Sequence, residues 1–399
     1  MTQMNHRIKD IELLRGIAVL FVLFEHSRFN LFGQPNHILE ILYTNFGGWT
    51  GVDLFFAISG FVIARDLIPR LNASQGRQFP VMLSFWVRRA SRLWPSAWLW
   101  LGLILVATVA FNHSGVFGLL KTNLDATLAG VFNYGNFRLQ AVFGRSDYGS
   151  SFPYWSLSLE EQFYLLLPVV AIVFRRWLPW VLLVPAIYQL LANRHISLPL
   201  MTTRSDALLL GVLLAIWSVK DSYRRFEPTF LRNPVWLRWI VLALLAIGLA
   251  AMGASRFENF RFWVGCVALI SIALVFIASY DKDYLMPDNP FKRVFLWFGS
   301  RSYALYLTHM PAYLASREIW FRLAPVNTIF DRSYNLRLGL TALVLLLIFS
   351  ELNYRFVETP FRAYGKKLAQ RINLRQDWLQ GWLARFRNQS AITVDSEKS

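Results

Sequence analysis

The stretch RFWVGCVALISIALVFIAS, residues 261–279, carries a single charge, and that charge is at its first residue. Its length approaches the ~20 apolar residues that an α-helix needs to cross the hydrocarbon core of a bilayer. Several similar runs along the chain are equally apolar and poor in charge. One soluble core could not bury so many all-apolar helices, so the pattern predicts an all-α, polytopic integral membrane protein.

We predict about ten transmembrane helices from these runs. They cover residues 11–31, 49–68, 95–112, 155–174, 177–193, 204–219, 235–253, 261–279, 295–315 and 336–357. If the N-terminus is inside, most of the 41 Lys and Arg residues fall in inner segments. The positive-inside rule then predicts both termini in the cytoplasm, residues 113–153 as the largest outer loop, and a multi-pass protein of the cytoplasmic (inner) membrane.

The composition agrees with this class. Hydrophobic residues make up 55% of the chain and charged residues 16%, against about 25% charged residues in soluble domains. A net charge of +17 would suggest nucleic acid in a soluble protein, but loop Lys and Arg fix topology and contact anionic lipids. We therefore expect anionic lipids as partners and no nucleic acid. Cys266 is the one cysteine, which excludes an intramolecular disulfide; no metal-ligand spacing is visible, and we expect no metal.

The first predicted span contains ionisable residues, which are costly in a membrane and mark functional sites by default. Arg15 and His26 are eleven residues apart in the sequence. At 100° per residue they lie about 20° from eclipsed, on one helix face, and the rise between them is roughly 16 Å. Arg15 is thus expected near the inner end of the helix and His26 in its outer half. Glu25 lies about 100° away and is expected to face another helix.

Other polar residues inside predicted spans fall at a similar outer depth. This layer would contain His26, Asp53, Glu160 or Glu161, Asp206 and His309. Two imidazoles and several carboxylates at one depth are suited to general acid–base catalysis, and a carboxylate that fixes a histidine tautomer makes that histidine a better base. The alternative is a layer of polar helix–helix contacts without catalytic function.

The inner ends of the spans carry a different pattern. Arg89 and Arg92 are three residues apart and point the same way on a helix, and with Arg15 they could form a basic mouth on the cytoplasmic side. Arginine forks suit phosphate oxygens, although such residues often only anchor the topology. A phosphate site inside and an acid–base site outside suggest a long phosphorylated donor such as coenzyme A.

The ordered motifs of the chain resemble those of the membrane acyltransferase family 3, bacterial O-acyltransferases that modify surface polysaccharides and related glycans. The resemblance covers about residues 8–365 in the right order. The motifs are Leu14-Arg15-Gly16 with His26, Gly51-Val52-Asp53-Leu54-Phe55-Phe56 with Ile58-Ser59-Gly60-Phe61, Arg89-Ala90-Ser91-Arg92, Trp155-Ser156-Leu157-Ser158-Leu159-Glu160-Glu161-Gln162-Phe163-Tyr164, Ser302-Tyr303-Ala304-Leu305-Tyr306-Leu307-Thr308-His309 and Val357-Glu358-Thr359-Pro360-Phe361.

The resemblance implies ten spans and an acyl-CoA donor that enters from the cytoplasm. It also implies transfer to an acceptor hydroxyl at the outer face, essential roles for Arg15 and His26, and donor contacts by Arg89 and Arg92. Acetyl is the expected acyl group, while succinyl and longer chains remain open. Lipopolysaccharide O-antigen, exopolysaccharide, a lipid-linked sugar and a small glycoside are the candidate acceptors. Some relatives carry a fused periplasmic esterase-like domain; here we expect the transmembrane domain to be followed only by a basic, polar cytoplasmic tail, 366–399.

The expected mechanism starts with His26 as the base that takes the proton of the acceptor hydroxyl. Its expected orienting partner is Glu160 or Glu161, with Asp53 second, while His309 polarises the thioester carbonyl or positions the acceptor. Direct transfer and an acyl-enzyme remain open. Two other classes compete with an enzyme: a proton-coupled transporter or exporter that uses the acids and histidines as a proton relay, and a purely structural membrane subunit.

Overall fold

The structure, a computed structural model, describes residues 8–74, 77–194 and 197–372. Within these residues the chain forms sixteen α-helices, short 3₁₀ and π-helical turns, and no β-strand. The prediction of an all-α fold is therefore confirmed for this part of the chain. The tail prediction falls mostly on residues 373–399, which lie outside the described residues.

The helices follow each other with short connections. The first eight are α1 (Lys9–Asn30), α2 (His37–Asn45), α3 (Thr50–Ala73), α4 (Gln78–Ala110), α5 (Leu120–Val131), α6 (Gly135–Val142), α7 (Tyr154–Phe174) and α8 (Leu178–Leu191). The others are α9 (Leu198–Thr202), α10 (Asp206–Trp217), α11 (Asp221–Arg225), α12 (Val235–Met252), α13 (Trp263–Ala278), α14 (Pro290–Ser300), α15 (Ser302–Leu323) and α16 (Asn335–Asn353). A π-helical turn, Tyr354–Glu358, continues α16.

A helix lies at each of the ten predicted spans, and the ninth is divided between α14 and α15. By length and composition, four helical segments of the described residues can cross a membrane: Gln78–Ala110, Tyr154–Leu191, Val235–Met252 and Arg332–Ile372. The helices α10 and α13 are apolar but shorter. These segments are consistent with a membrane protein, whereas ten crossings and cytoplasmic termini stay predictions.

The main hydrophobic core lies between α1, α3, α10 and α13. Leu14, Phe61, Leu208 and Val267, one from each helix, are all 0% exposed. Helices in a membrane associate through such close packing and through polar contacts, because lipid tails are as apolar as leucine. Several polar side chains on α1 and α3 are buried against protein in this packing, among them Asp10, Ser27, Thr50 and Asp53.

Glycines allow two helix pairs to pack at backbone contact. A Cβ on Gly60 of α3 would lie 2.1 Å from a backbone oxygen of α10, and one on Gly211 of α10 would lie 2.3 Å from a backbone oxygen of α3. A Cβ on Gly16 of α1 would lie 2.3 Å from a backbone oxygen of α14, and one on Gly299 of α14 only 1.8 Å from a backbone oxygen of α1. Small residues permit this approach, which fixes α1 and α3 in the bundle.

The largest predicted outer loop, 113–153, differs from the expectation because it contains a helical hairpin formed by α5 and α6, called the inserted hairpin below. The helix α5 runs back along α4. Near its start, Asn123 Nδ2 donates a hydrogen bond of 2.9 Å to the Thr108 hydroxyl. Near its end, a Cβ on Gly130 would lie 3.0 Å from the Leu101 side chain. The hairpin therefore lies beside a candidate membrane span and extends well along its length.

Side chains of α7 hold the turn between the two hairpin helices. Asn133 in this turn has a left-handed backbone, with φ of 56°, and its carbonyl accepts a hydrogen bond of 2.7 Å from Gln162. Its side-chain amide donates to Glu161 at 3.1 Å, and the same carboxylate oxygen accepts from the Trp94 indole at 2.5 Å. Non-helical backbone at membrane depth needs such partners, so Glu161 and Gln162 stabilise the inserted hairpin.

Candidate functional site

Two histidines from distant parts of the chain meet in the bundle. Nδ1 of His26, on α1, lies 2.7 Å from Nε2 of His309, on α15. The two rings are nearly parallel, at an angle of 13°, with their centroids 4.9 Å apart. His309 is 0% exposed, whereas His26 is half-buried. The pair thus has a closed side at His309 and a more accessible side at His26.

The hydrogen bonds determine which nitrogen of each ring carries the proton. Nδ1 of His309 lies 2.6 Å from the backbone oxygen of Tyr306, and a carbonyl oxygen can only accept, so this nitrogen is the donor. In a neutral His309, Nε2 is then the acceptor, and His26 must donate through its own Nδ1. Nε2 of a neutral His26 therefore keeps a lone pair, which is the state that a general base requires.

Three arginines line a cavity inside the bundle. They are Arg15, Arg89 and Arg92, the residues expected to hold the donor. Nε of Arg15 donates to the Ser302 hydroxyl at 3.1 Å. Among the described residues, Nε of Arg92 is buried without a hydrogen-bond partner. A guanidinium group with an unused donor suits a ligand with several anionic oxygens.

The cavity has a basic end and a hydroxyl end. At the basic end, the Arg89 guanidinium lies 5.5 Å from the centre of the Tyr164 ring. Along α7, Glu160 lies one turn and Ser156 two turns from Tyr164, and all three line the cavity. Ser156 and Tyr306 form the hydroxyl end, where their oxygens lie 2.6 Å apart. The histidines are not in the cavity lining; Tyr306, whose carbonyl accepts from His309, lies between them and the cavity.

The predicted shared face of Arg15 and His26 is confirmed in the structure. Both side chains turn toward α15, where Arg15 bonds Ser302 and His26 bonds His309. The two contacts are eleven residues apart on α1, from Arg15 to His26, and seven residues apart on α15, from Ser302 to His309. The basic mouth and the histidine pair therefore belong to one helix interface, with the cavity beside it.

The carboxylates expected to orient His26 have other partners. Glu160 accepts hydrogen bonds from the Ser59 hydroxyl and the Tyr164 hydroxyl. Glu161 binds the inserted hairpin, as described above. The orienting position beside His26 is taken by His309, which our expectation had placed at the thioester or at the acceptor. The sequence analysis predicted these partners only from the depth of each residue along its helix. That depth does not determine which neighbouring helix a side chain faces.

Asp53, the second expected partner, lies in a separate network of buried ion pairs. Its carboxylate is 3.0 Å from Nη2 of Arg204, and both side chains are almost fully buried. The Arg204 guanidinium lies 5.1 Å from the ring centres of both Trp49 and Trp155. A buried carboxylate with a paired guanidinium is already neutralised. The structure therefore places Asp53 in an ion pair that links α3 to the segment before α10.

Asp206, which we had also placed in the catalytic layer, pairs with Arg194. Its Oδ2 lies 2.6 Å from Nη2 of Arg194, and both side chains are 1% exposed. The sequence showed no pattern that would identify Arg194 and Arg204 as the partners of two buried acids. Within the described residues, no group of three or more His, Cys, Asp and Glu side chains could hold a metal ion.

Comparisons with known proteins agree with the motifs. A family model described as an acyltransferase domain matches residues 8–351. The peptidoglycan O-acetyltransferase OatA of Listeria monocytogenes is 26% identical over 385 residues, which is 90% of this chain and 56% of that protein. The putative peptidoglycan O-acetyltransferase YrhL of Bacillus subtilis is 28% identical and covers 91% of this chain and 56% of its own length.

A third relative, the O-acetyltransferase OatA of Staphylococcus aureus, is 30% identical over 359 residues, or 80% of this chain and 54% of that protein. The chain thus spans a little over half the length of these curated relatives. No solved structure matches the chain.

Proposed function

Because the chain belongs to the membrane acyltransferase family 3, we propose that it is an O-acetyltransferase that uses acetyl-CoA from the cytoplasm to acetylate a glycan hydroxyl at the outer face. The relatives named above carry the names of O-acetyltransferases, one of peptidoglycan and one putatively of peptidoglycan. Peptidoglycan or its lipid-linked precursor is therefore our first acceptor. Lipopolysaccharide and exopolysaccharide remain further proposals. We propose the cytoplasmic membrane as its location, with anionic lipids in contact with its basic inner loops.

The donor is proposed to bind in the cavity with its phosphates at the basic end. Arg15, Arg89 and Arg92 supply guanidinium donors there, and Nε of Arg92 is buried without a hydrogen-bond partner among the described residues. The rest of the cavity lining is largely apolar, which suits the pantetheine arm. This orientation directs the thioester toward Ser156 and Tyr306, next to the histidine pair.

The single observation that carries this function is the arrangement of the two histidines. His309 accepts the Nδ1 proton of His26, so Nε2 of His26 is free to take the proton of a hydroxyl group. In serine hydrolases a carboxylate performs this orienting role for the catalytic histidine. A neutral histidine can also fix the tautomer without adding a buried negative charge.

A transporter gains no support from the comparisons, since the relatives are named as O-acetyltransferases. The buried carboxylates Asp53 and Asp206 are also paired with arginines, so they are not free to act in a proton relay. We therefore retain acyl transfer as the function.

The test is transfer of labelled acetyl from acetyl-CoA to glycan by the purified chain in lipid nanodiscs. The wild type is expected to acetylate the acceptor, and His26→Ala to lose transfer while remaining folded. His37→Ala is the matched control, because His37 is an exposed histidine on α2. Full activity in His26→Ala would remove this residue as the base. Mass spectrometry of glycans from a deletion strain would identify the acceptor and the acyl group.

A further inference from the structure

The hydroxyl end of the cavity contains three oxygen atoms in mutual contact. The Tyr306 and Ser156 hydroxyls lie 2.6 Å apart. The backbone oxygen of Pro153 lies 2.9 Å from the Tyr306 hydroxyl and 3.2 Å from the Ser156 hydroxyl. Both side chains line the cavity, and both are buried. Two hydroxyl donors are thus held at the point where the donor cavity ends.

These hydroxyls can change their hydrogen-bond partner at little cost. The three oxygen atoms form three contacts, but the two hydroxyl groups have only two protons to donate. At any moment, one of the three contacts is therefore not a hydrogen bond. The Pro153 carbonyl also faces the backbone N–H of Ser156 at 3.4 Å. If a hydroxyl turns toward another acceptor in the cavity, this carbonyl keeps a donor and no buried polar group is left bare.

The hydroxyl end also lies directly against the histidine pair. The Tyr306 ring meets the His309 ring edge to face at 5.7 Å, and its carbonyl accepts the His309 Nδ1 proton at 2.6 Å. A carbonyl group held by the two hydroxyls would therefore lie on the cavity side of Tyr306, which contacts His309 of the histidine pair. Transfer between a thioester and an alcohol needs this combination, because the carbonyl oxygen gains negative charge when the alcohol attacks.

We propose that the Tyr306 and Ser156 hydroxyls are catalytic donors that bind the thioester carbonyl oxygen and stabilise its charge during transfer. This inference rests on the proposed acyl transfer. His26 Nε2 takes the proton of the acceptor hydroxyl, whose oxygen bonds to the thioester carbon. The carbonyl oxygen becomes an anion held by the two hydroxyls. The carbon–sulfur bond then breaks, the carbonyl re-forms, and the proton on His26 passes to the leaving thiolate. The products are the acetyl ester and coenzyme A.

His309 does not fill this role, although the sequence had suggested it. One of its ring nitrogens donates to the Tyr306 carbonyl and the other accepts from His26. A neutral imidazole has no further donor to offer to the thioester. Tyrosine hydroxyls perform the same task in other oxyanion sites.

The experiment compares Tyr306→Phe and Ser156→Ala with wild type in the full-length chain in nanodiscs. Loss of one such donor lowers kcat by about 100-fold in known enzymes, and we expect a similar loss here with the Kd for acetyl-CoA unchanged within two-fold. Tyr154→Phe is the control, since this buried hydroxyl donates to the Ala97 carbonyl and does not line the cavity. Thermal unfolding and donor binding show that each variant is folded.

A second readout separates a catalytic donor from a structural one. Dithioacetyl-CoA replaces the carbonyl oxygen by sulfur, a much weaker hydrogen-bond acceptor. Wild type should therefore prefer acetyl-CoA strongly, and Tyr306→Phe and Ser156→Ala should lose most of that preference. If both variants keep kcat and the oxygen preference of wild type while His26→Ala is inactive, the inference is wrong and the proposed function stands. If wild type transfers no acetyl group from acetyl-CoA, both fall.

Discussion

His26 Nδ1 and His309 Nε2 lie 2.7 Å apart, although 283 positions separate these two residues in the chain. Through this contact the neutral ring of His309 fixes the tautomer of His26, the proposed base, and no carboxylate is needed. A buried carboxylate would carry a large desolvation penalty in a membrane protein unless it were paired. A second histidine avoids that penalty and leaves the pair uncharged at rest.

Removal of His309 should therefore lower the rate without weakening donor binding. In His309→Ala, Nδ1 of His26 loses its acceptor, and the tautomer with the proton on Nε2 becomes accessible. A wrong tautomer in a catalytic triad lowers kcat by about 10⁴-fold, and we expect a fall of about 10²–10⁴-fold. The measurement is kcat for labelled acetyl transfer, with the Kd of acetyl-CoA as a folding control. An unchanged kcat would show that His309 is only a packing residue.

Arg92→Ala should weaken binding of the donor and leave the chemistry intact. A hydrogen bond to a charged group contributes about 1.5–3 kcal/mol, so KM for acetyl-CoA should rise roughly 10–100-fold. Arg88→Ala is a matched control, because Arg88 pairs with Asp66 at 3.3 Å and does not line the cavity.

A donor that lacks one phosphate shows whether this arginine binds phosphate. One arginine is expected to bind the 3′-phosphate. Its replacement by alanine should raise KM for 3′-dephospho-acetyl-CoA, which lacks that phosphate, much less than KM for acetyl-CoA. The same pair of donors applied to Arg15→Ala and Arg89→Ala assigns the phosphates among the three residues. If every variant, Arg88→Ala included, responds equally to both donors, the cavity arginines are not phosphate ligands.

Substitutions at Asp53 and Arg204 test whether the Asp53 carboxylate stabilises the fold or takes part in catalysis. Arg204→Met leaves this carboxylate buried and unpaired, which should destabilise the protein by about 3–5 kcal/mol and lower the midpoint of thermal unfolding. Asp53→Leu combined with Arg204→Met removes both charges and should recover most of that stability. The double variant is also expected to keep acetyl transfer. A stable but inactive double variant would restore Asp53 as a catalytic group.

Gly211→Ala should destabilise the bundle although alanine favours helices. The new Cβ would meet a backbone oxygen of α3 at 2.3 Å, so α3 and α10 must separate. The expected result is a lower thermal midpoint and loss of both donor binding and activity. Gly248→Ala in α12 meets nothing within 4 Å, and it should be neutral or slightly stabilising. Equal behaviour of the two variants would argue against the close helix contact.

Local spacing in the sequence was enough to predict much of this architecture. Apolar runs located a helix at each predicted span, and the eleven-residue interval placed Arg15 and His26 on the same face. The same reasoning placed His26 and His309 at one depth. These features depend only on the geometry of a single helix.

Lateral contacts could not be predicted in this way. Whether His26 faces Glu160 or His309 depends on how α1 is rotated and which helix packs beside it, and glycine contacts with α14 decide that. The buried pair of Asp53 and Arg204 joins residues 151 positions apart in the chain. The inserted hairpin was missed because its helices have only 12 and 8 residues, too few for the length of a span.

The inserted hairpin also has a consequence for biogenesis. Its turn is held by Glu161 and Gln162, and these residues are synthesised after the hairpin. Two helices this short cannot enter the bilayer as independent spans. We expect the translocon to export the hairpin first, and the hairpin to fold back against α4 only once α7 has been inserted. Its docking is then a late step of assembly, and cells that synthesise a chain truncated before α7 should leave this segment open to protease on the outer side.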